Sequence, residues 1–101
     1  MEDELMNTEN YEYPLMPEWD ISEVIIATDF YQAVEKLYTI GISRVEFLTK
    51  YQRFQELEPA KMTQKQLDKR FETASGYSIY AASQYVLKNE QKFQRFKTKK
   101  E

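Results

Sequence analysis

Apolar residues return at steps of three and four through the first half of the chain, and this spacing lays out most of the fold. Val24, Ala27, Tyr31, Val34 and Tyr38 form one stripe, and Ile26, Phe30, Ala33, Leu37 and Ile40 form a second. Two stripes on one helix mean burial around most of its circumference, so this helix is expected at the centre of the domain. Asp20-Ile-Ser-Glu23 has capping-box spacing and sets its start after Asp20. Gly41 ends it, because glycine takes the left-handed C-terminal conformation at little cost.

Three further helices follow the same grammar. Ser43-Arg-Val-Glu46 opens the second, with Ile42 placed to staple to Phe47; Phe47, Leu48, Tyr51, Phe54 and Leu57 form its inner face, and Pro59 closes it. The third is expected to start near Thr63, where Thr63-Gln-Lys-Gln66 repeats the capping-box spacing and Met62 with Leu67 repeats the staple. Leu67, Phe71 and Ala74 face inward and Gly76 terminates it. Ser78 is the N-cap of the fourth, whose inner face is read as Ile79, Ala82, Val86 and Phe93, with the basic run KNEQKFQRFKTKKE as its C-terminal end. No segment alternates with period two for long, so strand content is expected near zero. Gly41-Ile-Ser43 and Gly76-Tyr-Ser78 are the same junction used twice, but two copies are too few for a solenoid.

Ahead of the helices, YEYPLMPEW holds Pro14 and Pro17, which forbid regular helix; Tyr11, Tyr13 and Trp19 suit an extended arm laid over the domain. The expected architecture is all-α: a compact four-helix array with an extended N-terminal arm. Residues 1–10 read as a disordered acidic tail, 11–97 as a single helical domain and 98–101 as a frayed basic tail. At 101 residues the chain is long enough for one core and too short for two.

Composition narrows the chemistry. The chain has neither cysteine nor histidine, so disulfides, zinc fingers and iron–sulfur ligation are excluded, and so are Ser–His and Cys–His nucleophile systems. Two isolated glycines cannot build a phosphate loop. No cofactor or metal is therefore expected, and no enzyme of the common types. No apolar run approaches the roughly 20 residues of a membrane span, and MEDELMNTEN is acidic rather than leader-like. The cytoplasm is the expected compartment, with no membrane partner.

Charge is divided along the chain. Residues 1–35 carry ten acids and no base, while 36–101 carry fourteen bases and seven acids. The two parts either neutralise each other in the fold or present a polarised surface to a charged partner. Glu35 lies among the apolar residues of the first helix. If buried it must be paired or neutral: Arg53 or Lys61 could supply an ion pair, or a tyrosine a hydrogen bond. The basic patch Lys88, Lys92, Arg95, Lys97, Lys99 and Lys100, with Phe93 and Phe96 interleaved, could follow a nucleic-acid backbone. A helix-turn-helix around Gly76 is disfavoured, since Phe71 to Leu87 contains no lysine or arginine to anchor phosphate. Tyrosines are frequent interface hot spots, which makes Tyr13 and Trp19 on the arm, and Tyr77 and Tyr80 beside the second glycine junction, the candidate interaction surface.

The ordered run Tyr11-Glu-Tyr13-Pro14, Trp19, FYQAVEKLYTIGI, YQRFQELEPAK and FETASGYSIY, over about residues 11 to 88, resembles a small bacterial family catalogued only as uncharacterised protein family 0223. The family's recurrent positions match Tyr13, Pro14, Trp19, Val34, Glu35, Tyr38, Gly41, Tyr51, Arg53, Phe54, Pro59, Lys61, Phe71, Glu72, Gly76, Tyr77 and Tyr80. The resemblance implies an all-α fold, a cytoplasmic location and no assigned activity. Where the family usually has a basic residue on each side of Arg53-Phe54, this chain has Gln52 and Gln55, so the resemblance implies no anion site there. The leading expectation is a non-enzymatic protein-interaction or regulatory module. The alternatives are nucleic-acid binding through the basic C-terminal helix, and an enzyme using Glu35 or Glu72 with tyrosine.

Overall fold

The computed structural model describes residues 11–96. The two tails expected at 1–10 and 98–101 lie outside the described residues, as do Lys97, Lys99 and Lys100. An extended arm, residues 11–20, leads into α1 (Ile21–Tyr38), α2 (Arg44–Leu57), α3 (Lys61–Ser75) and α4 (Ile79–Lys88). Two-residue strands β1 (Ile42–Ser43) and β2 (Phe93–Gln94) pair antiparallel, with Ile42 opposite Gln94 and Ser43 opposite Phe93. Among the described residues no helix is long and apolar enough to cross a membrane.

The helix α1 is the hub. Ala27, Phe30, Tyr31, Ala33, Val34, Leu37 and Tyr38 of the double stripe are buried, whereas Val24 and Ile26 are half-buried and Ile40 lies past the end of the helix at 71% exposure. The Asp20–Glu23 capping box forms in full, with Asp20 Oδ1 accepting from the Glu23 amide and Glu23 Oε1 accepting from the Asp20 amide. Around Phe30 the core is aromatic: its ring stacks on Phe54 at 4.9 Å and meets Phe47 edge-on at 5.7 Å, while Tyr31 stacks on Phe71 at 5.0 Å. Offset and edge-to-face contacts of this kind add about 0.5–1.5 kcal/mol per pair beyond area burial. Together they tie α1 to α2 and α3.

The two glycine junctions share their residue chemistry but not their register: Gly76 is itself the C-cap of α3, whereas the C-cap of α1 is Thr39 and Gly41 lies two residues beyond it. Gly41 and Gly76 have φ of 96° and 84°, and Ser43 and Ser78 accept from the amides of Glu46 and Ala81 as N-caps. Ser43 makes only half of the expected box, since the Glu46 carboxylate turns instead to Lys36 and Lys50.

Ala74, expected to face inward with Leu67 and Phe71, is exposed, and two larger expectations are corrected. First, α3 begins at Lys61, capped by the backbone of Ala60, and no side chain caps it. The Gln64 amide already bonds to the Ala60 carbonyl, and its side chain donates to Glu58 O. That puts Thr63 inside the helix and leaves Met62 73% exposed, so neither the Thr63 box nor the Met62–Leu67 staple forms.

Second, α4 stops at Lys88. Arg44 Nε donates to the carbonyls of Val86 (3.2 Å) and Asn89 (2.8 Å), and the Asn89 side chain donates back to Tyr85 O. A cation on the last carbonyls ends a helix favourably. The chain then turns back, with Arg44 N bonded to Lys92 O and Phe96 N to Leu37 O, and β2 pairs with β1. Phe93, expected in the core, points outward at 62% exposure. Phe96 takes the inward role, stacking on Tyr85 at 4.5 Å and tilting on Tyr38 at 5.2 Å.

Candidate functional site

The arm is held onto α1 by hydroxyls. Tyr31 donates to the carbonyl of Pro14 at 2.9 Å in a buried contact. Tyr13 donates to Glu35 Oε1 at 2.8 Å, and Tyr11 donates to the other oxygen, Oε2. The Tyr13 ring lies 5.4 Å from Tyr31, and Tyr11 meets Phe71 edge-on at 6.4 Å. Burial, the hydrogen bond to Glu35 and that carboxylate's charge all push the Tyr11 hydroxyl well above the ordinary tyrosine range.

Glu35 therefore takes the tyrosine hydrogen-bond option left open by the sequence, and the candidate ion pair with Arg53 or Lys61 does not form. The arm brings both tyrosine hydroxyls onto Glu35. Arg53 and Lys61 are exposed on α2 and at the start of α3. Among the described residues no lysine or arginine nitrogen lies within 4.0 Å of the Glu35 carboxylate.

Two members of this clasp, Tyr11 and Glu35, line a cleft of about 260 Å³ together with Gln32, Lys36, Thr39, Ser75 and Tyr77. Tyr77 is half-buried and its ring stacks on Tyr38 at 4.6 Å and 13°. The Tyr38 hydroxyl in turn donates to Ser78 O at 3.0 Å. Two candidates separated by some forty residues, Glu35 and Tyr77, thus share one cleft.

A second cleft, of about 270 Å³, lies where α2, α3 and α4 meet. Tyr51, Phe54 and Ile79 give its lining an apolar share, and Lys61, Lys65 and Tyr80 line it as well. Tyr80 is 67% exposed. Asp68 also lines it, and Asp68 Oδ1 accepts from the Ile79 amide at 3.1 Å. Burial raises the pKa of this carboxyl above its usual range, against the lowering effect of the Ile79 and Tyr80 amides. Asp68 is thus a tertiary cap on α4 that the sequence reading missed. Arg44 was missed as well. Both lie far in sequence from the helix ends they serve, so no local spacing announces them.

The candidate residues divide between these places. Tyr13 and Trp19 belong to the packed arm, half-buried against the core. Tyr77 lines the first cleft and Tyr80 the second. Lys88 and Lys92 are exposed, and the Arg95 guanidinium donates to the Thr39 carbonyl. Because residues 89–92 and 95–96 are irregular and 93–94 form β2, the described part of the basic patch is not the helical platform expected for nucleic acid. Among the described residues no three acidic side chains are grouped to hold a metal ion.

Fold and clefts define a small all-helical protein whose aromatic arm is clasped to its central helix. The chain belongs to the uncharacterised protein family UPF0223, whose profile matches residues 10–96. A UPF0223 protein of Staphylococcus aureus (strain bovine RF122 / ET3-1) is 42% identical over 90 residues, covering 89% of this chain and 98% of that one. One of Listeria welshimeri is 43% identical over 76 residues, covering 75% and 84%. Another, of Bacillus mycoides, is 42% identical over 74 residues, covering 73% and 83%.

Proposed function

We propose that this chain is a non-catalytic protein-interaction module of the cytoplasm, and that its partner presents a short acidic segment bearing one large apolar side chain. The observation that carries this reading is Tyr80, a large aromatic 67% exposed that lines the α2–α3–α4 cleft together with Lys61 and Lys65. An exposed tyrosine among apolar lining residues supplies contact area at low entropic cost, and two lysines favour an anionic neighbour. A cleft of about 270 Å³ suits a single anchoring side chain rather than a drug-sized ligand. A chain without cysteine also suits a reducing compartment.

Catalysis has weaker support. The best-placed carboxylate, Glu35, has a tyrosine donor on each oxygen. Nucleic-acid binding has lost the helix it was to use.

The test is a peptide array probed with the full chain, with acidic peptides carrying one Phe, Leu or Tyr set against neutral and basic counterparts. Retention should favour the acidic set, weaken with salt, and fall sharply for Tyr80→Ala and for Lys61→Glu with Lys65→Glu. All three positions are exposed, so these variants keep the fold. Equal retention of basic peptides, or retention unchanged by both variants, would overturn the reading.

A further inference from the structure

The Glu35 cleft shares no lining residue with the Tyr80 groove, and its chemistry is of the opposite sign. Its lining includes the half-buried Glu35 carboxylate, which has no described lysine or arginine within ion-pair distance. Glu35 Oε1 and Oε2 each accept one tyrosine hydroxyl, and each keeps a second lone pair. Those hydroxyls are donors; neither carries the positive charge that a half-buried carboxylate calls for.

The cleft walls include Tyr11 and Tyr77, whose rings are held in place by Phe71 and Tyr38. Tyrosine π-faces attract cations, and more strongly where water is partly excluded. Among the described residues the cation on the lining is Lys36, and its Nζ lies 3.9 Å from Glu46 Oε2 on α2. Glu46 therefore competes with Glu35 for that ammonium. Gln32, exposed at the mouth, supplies an amide oxygen that can accept from a bound donor.

We propose that this cleft binds a small organic cation, an ammonium or guanidinium group on a short stem. The head would sit against Glu35 and the Tyr11 and Tyr77 rings, with Gln32 accepting from it. A volume of about 260 Å³ admits such a head and a few carbons, and no more. The three attractions act together only on a cation: an anion meets the carboxylate head-on, and a neutral alcohol gains neither charge term.

The experiment is an NMR titration of the full chain with methylammonium, guanidinium and tetramethylammonium chlorides at non-denaturing concentrations. Sodium chloride at matched ionic strength and sodium acetate are the controls. Saturable shifts are expected at the amides of Gln32, Glu35, Ser75 and Tyr77 for at least one organic cation and for neither control. Loss of a charge-assisted contact weakens binding by about tenfold or more, so Glu35→Gln should weaken it by that factor. Glu35→Gln could disturb the arm, so Gln32→Lys, at an exposed position, is the second variant; it sets a cation at the mouth and should abolish the saturable shifts with the fold intact. Shifts that do not saturate, that acetate reproduces, or that survive Gln32→Lys would overturn the proposal.

Discussion

The Tyr13 hydroxyl donates to Glu35 Oε1 at 2.8 Å, joining the arm to the middle of α1 across 22 residues of sequence. With Tyr11 on the other oxygen and Tyr31 reaching Pro14 O, the arm is a fifth packed element rather than a loose leader. Tyr13→Phe removes one of two donors to a half-buried carboxylate and should cost about 1 kcal/mol. Tyr31→Phe leaves the Pro14 carbonyl without its buried donor and should cost about 1–3 kcal/mol. Chemical denaturation of each variant checks both values, and Trp19 fluorescence reports whether the arm loosens with them.

Stability should fall in alkaline solution, with a definite sign. Burial raises the hydroxyls of Tyr11, Tyr31 and Tyr38 above the unfolded value of 10.0, with the Glu35 hydrogen bond adding to the rise at Tyr11. A group whose folded pKa is raised binds its proton more tightly in the native state. Its contribution is complete below about pH 10 and is lost as pH climbs beyond that value. Asp68, raised for the same reason, acts in the acid range: stability should decline as pH rises past its unfolded value of 3.8 toward its folded one. Denaturation midpoints measured from pH 8 to 11 should therefore fall most steeply above about pH 10. Tyr11→Phe should flatten that slope.

The two glycines are not equivalent under substitution. An alanine methyl at Gly76 would meet nothing within 4 Å, whereas one at Gly41 would come within 2.5 Å of the Phe93 ring and 3.1 Å of Gln94 O. Gly76→Ala should cost about 1–2 kcal/mol for the left-handed backbone alone. Gly41→Ala should cost more. Because Phe93 is 62% exposed and its ring can be removed at little expense, Gly41→Ala combined with Phe93→Ala should recover part of the difference. A double-mutant cycle measures that coupling.

What the sequence disclosed follows from which interactions are local. The caps Asp20, Ser43 and Ser78, the Gly76 stop and the middle of both α1 stripes, from Ala27 to Tyr38, are properties of neighbouring residues and are found where their spacing put them, while Ile40 lies beyond the helix and Gly41 two residues past its Thr39 cap. The errors lie where a distant residue intervenes. Arg44 ends α4 from more than forty residues away. Without it in view, a run of good helix formers reads as continuing to the C-terminus, with Phe93 rather than Phe96 facing the core. The start of α3 failed differently: the Pro59–Ala60 backbone opens the helix ahead of the better side-chain cap at Thr63. Glu35 was legible as a buried carboxylate in need of a partner. Which partner it takes depends on the path of the arm, and that path is tertiary.

The most direct measurement is site-specific photocrosslinking in the native bacterium, with a photoreactive residue at Tyr80 and, separately, at exposed Ile21 on α1. One protein should be captured from position 80 and not from position 21, with an acidic segment at its crosslinked peptide and capture lost in Lys61→Glu with Lys65→Glu. Equal capture from both positions, or capture at 80 that persists without the two lysines, would contradict the proposed interaction.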